Sequence, residues 1–343
     1  MKLIRKALRD LSLAQGVTGD EGSAALVAEK FLRPLVDETH MDALGNLYGI
    51  RRSKDPQAKT VLLDAHMDEV GMMVTGQEDG LLKFNTCVGG VDHRLLPNLA
   101  VKVLTDPVLE GVITCPLSLG QTKEEQGKPF ELEDLMIDCG LSEEEAKKIP
   151  VGTRVCYGTE PWFVGNRFFG KSTDDRACFV ALLYAMELLK DVELPVNVVV
   201  LGSVQEEETG LGALAGTFRM EPDVAFVTDV TFGDSPDSPK DHSVPLGGGC
   251  AIGYSPMLDR HYTAFLQELA IKHQIPYAQE VMEGSTGTNS MHTQIAGIGV
   301  PSVLVSLPQR YMHTPVESVD LGDIMALGKL VSVFLTDFKE ADR

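Results

Sequence analysis

The feature that most constrains this chain is a segment with no solvent-facing side: Thr60-Val61-Leu62-Leu63-Asp64-Ala65 is nearly continuous in apolar residues. A strand on a half-exposed sheet alternates apolar with polar residues, so a strand apolar on both sides needs cover on both faces. Residues 196–203, VNVVVLGS, repeat the pattern. Strand-like segments at 224–229 and 302–306 follow, and helical spacing predicts helices at 174–189, 211–220, 259–273, 290–296 and 321–338. Two further helices are read in the first 36 residues, from the stripes Leu3, Ile4, Ala7, Leu8, Leu11 and Ala25, Leu26, Ala28, Phe31, Leu32. Strands alternating with helices predict an α/β fold: a mostly parallel central sheet with helices on both faces.

Between residues 70 and 162 the texture differs. Short β-like runs at 70–74, 81–84, 100–104, 108–114 and 154–157 are separated by Gly, Pro or Asp. A polar stretch at 121–128 reads as an exposed loop. Ser142 and Glu145 stand in capping-box spacing for a helix at 142–148. The expectation is a small β-barrel-like domain, 70–162, inserted into an α/β body formed by 1–69 and 163–343.

With 343 residues the chain is long enough for two domains. Its 30 Lys+Arg against 50 Asp+Glu leave a net charge of −20, a field that repels phosphate backbones and argues against nucleic acid. No apolar run approaches the roughly 18–20 residues of a membrane helix. The N-terminus lacks the apolar core and cleavage site of a signal peptide, so a cytoplasmic protein is expected. Six scattered cysteines without a C-x-x-C pair read as reduced, mostly buried thiols. There is no G-x-S-x-G elbow and no phosphate-binding P-loop.

The chemistry is concentrated where strands end. The 60–65 strand runs into His66-Met67-Asp68, the 196–203 strand into Gln205-Glu206-Glu207-Glu208, and the 224–228 strand into Asp229. The 302–306 strand leads to His313, and Asp174-Asp175 opens a helix after a Gly-rich strand. Sites in such sheets lie at the carboxyl ends of strands. Each residue has an ordinary explanation: a helix cap for Asp174-Asp175, a solvated acidic corner for Glu206–Glu208, a surface turn for His313. Together, from five segments, they form an imidazole–carboxylate set suited to Zn²⁺, Co²⁺ or Mn²⁺. Five ligands with one shared carboxylate give three to each of two metals. His66-x-Asp68 spacing lets Asp68 hold the far ring nitrogen of His66.

These motifs resemble the TET (tetrahedral) and glutamyl aminopeptidase family of dinuclear metallo-exopeptidases. The matching pieces are Asp64–Gly71, Val88–Asp92, Gly170–Arg176, Gln205–Gly210, Asp229–Thr231, Gly287–Asn289 and Arg310–Glu317. The resemblance implies a catalytic domain interrupted by a small β domain used in dimer contacts, and a homo-oligomer that is dimer-built and in some members a tetrahedral dodecamer. Carried over, His66, Asp174 and Asp229 hold one metal, and Asp174, Glu208 and His313 the other. Glu207 is then the general base, and Asp68 orients His66. The family has two glutamates before x-Gly-Leu and this chain has three. Alignment on Thr209-Gly210-Leu211 selects Glu207 and Glu208, with Glu206 as the rival. The family's Gly-Thr-Asp is Gly287-Thr288-Asn289 here.

The implied activity is release of N-terminal residues from peptides by a metal-activated water and a glutamate base, with two divalent ions per subunit. A glycosidase with paired carboxylates is one alternative, which one Trp and 6% aromatic residues disfavour. A deacylase of N-acyl amino acids is another.

Overall fold

The structure is a computed structural model that describes residues 1–116, 122–124, 128–236, 238–239 and 243–340. The loop expected at 121–128 lies partly outside the described residues. Four parallel strands form the centre of an eleven-stranded sheet, in the order Asn197–Ser203, Thr60–His66, Val224–Phe232, Ser302–Arg310. The reason lies in side-chain alternation. Leu63 and Ala65 enter one core with Ala7, Leu11, Phe179, Leu183 and Leu327, while Leu62 enters a second core with Tyr48, Leu201, Val227 and Leu304. Successive residues of one strand thus serve opposite layers, which is why the strand carries no polar face.

The sheet is mixed rather than parallel throughout. Leu47–Arg51, Glu317–Asp320, Arg167–Gly170, Trp162–Val164 and Cys250–Tyr254 join it antiparallel, and Glu38–Met41 lies on one edge. Most of these strands went unread because they are short, and several are polar or half-exposed, as in Glu317-Ser318-Val319-Asp320. The long helix Thr173–Leu188 is buried along most of its length and packs against Leu321–Thr336. The 290–296 helix is only one turn, Ser290–Thr293.

Six strands close a separate barrel: Met72–Glu78, Leu81–Thr86, Ile137–Asp138, Leu109–Ile113, Ala100–Val103 and Arg154–Tyr157. Its interior is its own, built from Met72, Val74, Leu82, Val101, Val103, Ile113 and Val155. Ser142 and Glu145 form the expected capping box, here on a single turn, Glu143–Ala146. Among the described residues no helix is long and apolar enough to cross a membrane.

Candidate metal centre

Strand register brings the first donors together. His66 ends its strand beside Ser203, and Val227 pairs with Asp64, which sets Asp229 level with His66 on the neighbouring strand. Asp174 comes from the start of the Thr173–Leu188 helix, where Asp174 and Asp175 leave helical geometry. His313 follows the Ser302–Arg310 strand through a tight turn with Tyr311 and His313 both at positive φ.

Asp174 is the centre of the arrangement. Its Oδ1 lies 3.0 Å from His66 Nε2, and its Oδ2 lies 3.4 Å from His313 Nε2. Glu207 Oε2 is 3.0 Å from the same His313 nitrogen. Donor atoms of His66, Asp174 and Asp229 all lie within 4.8 Å of one another, as do those of Asp174, Glu207 and His313. Asp68 Oδ1 sits 3.3 Å from His66 Nδ1, on the far side of the ring.

The glutamate run sits one residue away from the expected placement. Glu208, expected as a ligand, is exposed and belongs to neither group. Glu207, expected as the base, stands in its place. Glu206 reaches within 4.0 Å of His66 Nε2 and lines the same cavity. The cause is a backbone bend held from a distant segment: Gln205 has φ +59°, and the Glu206 and Glu207 amides donate to Asp68 Oδ1 and Oδ2 at 3.0 and 3.2 Å. That bend turns two consecutive side chains to one side, and nothing in the glutamate count reveals it.

Two supports were missed by sequence reasoning. Glu317 accepts from the amides of Thr173 and Asp174 at 2.7 and 3.2 Å, and from the His313 amide at 3.0 Å, so one buried carboxylate fixes both backbone segments. Glu69, adjacent to the H-x-D motif, meets Lys171 Nζ at 2.6 Å and Arg176 at 3.2 Å, all three fully buried. Arg176 also donates to the Met67 carbonyl at 2.9 Å, clamping the helix start against the His66 loop. Removing one partner of such a buried set costs about 3–5 kcal/mol, because the others keep uncompensated charge. The barrel reaches the site too. A Cβ on Gly90, at φ +80°, would strike His313 Nδ1, so only glycine fits there.

The electrostatics show what the donor set demands. Burial pushes Glu206 up to about 8 and Glu207 up to about 7, and neighbouring carboxylates add to both shifts. Burial and the charges of Asp175 and Glu206 hold Asp229 well above the carboxylate range. For His313, burial works against the imidazolium, but Asp174 and Glu207 overcome it and raise it to about 11. Carboxylates that hold protons beside imidazoles that gain them are short of positive charge. Two imidazole nitrogens and three carboxylates in two groups sharing Asp174 fit divalent cations in both charge and donor type. The groups open on a cavity of about 730 Å³ lined also by Thr231, Glu280 and Met312.

Comparison with known proteins agrees with this picture. The profile of the M42 glutamyl aminopeptidase family matches residues 45–330. A lysyl aminopeptidase of Pyrococcus furiosus is 33% identical over 341 residues, covering 95% of this chain and 95% of its own. The TET aminopeptidase of the marine sediment archaeon Thaumarchaeota archaeon SCGC AB-539-E09 superposes with a TM-score of 0.91 at 27% identity, over 98% of this chain and 97% of that one. The TET1 peptidase of Pyrococcus horikoshii, which can assemble into a tetrahedron or a large octahedral shell, gives a TM-score of 0.84 at 28% identity, over 98% and 100% of the two chains.

Proposed function

We propose, for a chain that belongs to the M42 glutamyl aminopeptidase family, that the acid and imidazole layer at the strand ends is a two-cation centre that removes single residues from peptide N-termini. Family membership makes the chain a metal-dependent aminopeptidase, a hydrolase of peptide bonds. The observation that carries the assignment of residues is the placement of Asp174, whose two oxygens face His66 on one side and His313 on the other. On this reading His66, Asp174 and Asp229 hold one ion, and Asp174, Glu207 and His313 hold the second. The nitrogen and carboxylate donors suit Zn²⁺, Co²⁺ or Mn²⁺.

When bound, the cations supply Lewis-acid charge that polarises the scissile carbonyl and lowers the pKa of a water toward about 7. Glu206 would take a proton from the water that attacks the carbonyl carbon. It returns the proton to the amine nitrogen as the C–N bond breaks. Asp68, against His66 Nδ1, fixes the ring so that Nε2 faces the centre. The carboxylates around the cavity also attract the substrate's α-ammonium.

Two imidazoles in the donor layer favour this reading over the glycosidase alternative, whose two-carboxylate mechanism makes no use of them. The deacylase alternative is separated by the substrate's N-terminus. A short peptide with a free amine should be cleaved at least about tenfold faster than its N-acetylated form, since a hydrogen bond to a charged group is worth about 1.5–3 kcal/mol and about 1.4 kcal/mol is tenfold. Equal rates, followed by mass spectrometry of the products, overturn exopeptidase action.

We assign the contacts between subunits to the inserted domain, residues 70–162. It carries none of the donors, and its surface exposes Leu95, Val108, Val112 and Val151. Shell assembly in the Pyrococcus horikoshii relative supports a homo-oligomer, which we infer is built from dimers. Light scattering should return a multiple of the dimer mass, and a fully active monomer overturns the assignment.

A further inference from the structure

Glu21 belongs to no part of the metal centre, yet it is only 4% exposed. It lies in the loop between the first two helices and precedes Gly22–Leu32. Its Oε1 accepts from the Gly19 amide at 2.6 Å and, across 184 residues of sequence, from the Gln205 amide at 3.2 Å. The next two amides, Glu206 and Glu207, end on the two oxygens of Asp68. Thr18, from the Glu21 loop, donates to Asp68 Oδ2 at 2.9 Å. Three consecutive N–H groups are therefore received by two buried carboxylates, one of them Glu21.

The residue so held is the unusual one. Gln205 has φ +59°, a left-handed conformation that a side chain with a Cβ adopts only where its surroundings enforce it. The Gln205 carbonyl is held as well, by the amides of Thr209 and Gly210 at 3.1 and 2.8 Å. In extended chain, neighbouring side chains point to opposite sides. With the bend, Glu206 and Glu207 both face the cavity. A buried carboxylate is costly unless its acceptors are used, and the non-local use that Glu21 makes of its own is this bend.

We infer that Glu21 is a positioning residue for catalysis: by receiving the Gln205 amide it holds the left-handed bend that delivers the Glu206 carboxylate to the reacting water. The inference rests on the reading of Glu206 as the proton acceptor. It is distinct from the part of Asp68, which touches the His66 ring.

The test compares kcat, KM and bound-metal content of Glu21→Met, which keeps the volume but has no acceptor, and Glu21→Gln, which keeps one acceptor oxygen. Assayed with cation in excess, which offsets any weakening of the Glu207 site by the same bend, Glu21→Met should lose about tenfold or more in kcat, the scale of effect for a misplaced catalytic group, with KM unchanged. Glu21→Gln should retain most of the rate. Adding Gln205→Gly to Glu21→Met should recover kcat, because glycine adopts positive φ without being held there. In a Glu206→Gln background, Glu21→Met should cost nothing further.

A wild-type kcat in Glu21→Met, no recovery with Gln205→Gly, or an equal loss in the Glu206→Gln background overturns the inference and leaves Glu206 as base. A Glu206→Gln enzyme at full rate overturns the base assignment itself, and the inference with it. Should Glu21→Met not fold, Glu21→Asp takes its place under the same criteria, its oxygens one methylene short of the Gln205 amide.

Discussion

Glu206→Gln should bind its cations as the wild type does and lose about 10²–10⁴-fold in kcat, the usual worth of a general base. The substitution keeps the shape of the side chain and removes its capacity to accept a proton. Glu206 lies 4.0 Å from His66 Nε2 but stands in neither donor group, so the metal sites lose no ligand. KM should change little, because the contact is made to the proton in flight and not to bound substrate. Glu207→Gln should behave differently. Glu207 Oε2 is 3.0 Å from His313 Nε2, so its amide variant weakens the ion held with Asp174 and His313. Elemental analysis and kcat measured on both variants settle the order. If Glu207→Gln retains full metal and loses rate while Glu206→Gln loses metal, the base is Glu207.

What the sequence reveals of this site and what it hides have different physical origins. Strands covered on both faces are legible because burial removes their polar positions, as in Thr60–His66 and Asn197–Ser203. Knowing where the central strands end, and where the helix after Arg167–Gly170 begins, is enough to collect His66, Asp174, Asp229 and His313 into one layer. The glutamates are another matter. Their assignment depends on a bend of one residue, and the bend is made at Gln205 and not at a glycine that would announce it. Its cause is non-local: amides of residues 205–207 fall on carboxylates at positions 21 and 68. Glu317 was hidden for the same reason. Its strand, Glu317–Asp320, is short and polar in composition yet fully buried, because its carboxylate is spent on the amides of Thr173, Asp174 and His313. Polar residues buried for hydrogen bonding look, in sequence, like surface.

Asp174→Asn should abolish peptide hydrolysis to at least about 10³-fold below wild type, since it removes charge from both cations at once and each supplies several kcal/mol of transition-state stabilisation. Other donors serve one group each; Asp174 serves both, with Oδ1 toward His66 and Oδ2 toward His313. An amide nitrogen in place of either oxygen cannot ligate, so on the proposed two-cation reading the variant should bind fewer ions per chain than the wild type, for which two are expected. The fold should survive. The backbone of Thr173 and Asp174 is held by Glu317, and the helix start by Arg176 and Glu69, none of which contacts the Asp174 carboxylate. Glu208→Gln is the matching control. It removes one negative charge three residues beyond the bend, on an exposed side chain, and should leave both rate and metal content unchanged. Dialysis against a chelator should bring the wild type to the level of Asp174→Asn, with Zn²⁺, Co²⁺ or Mn²⁺ restoring the wild type and not the variant. Hydrolysis at the wild-type rate by the Asp174→Asn protein, or loss of metal from Glu208→Gln, overturns the assignment of Asp174 as the shared ligand.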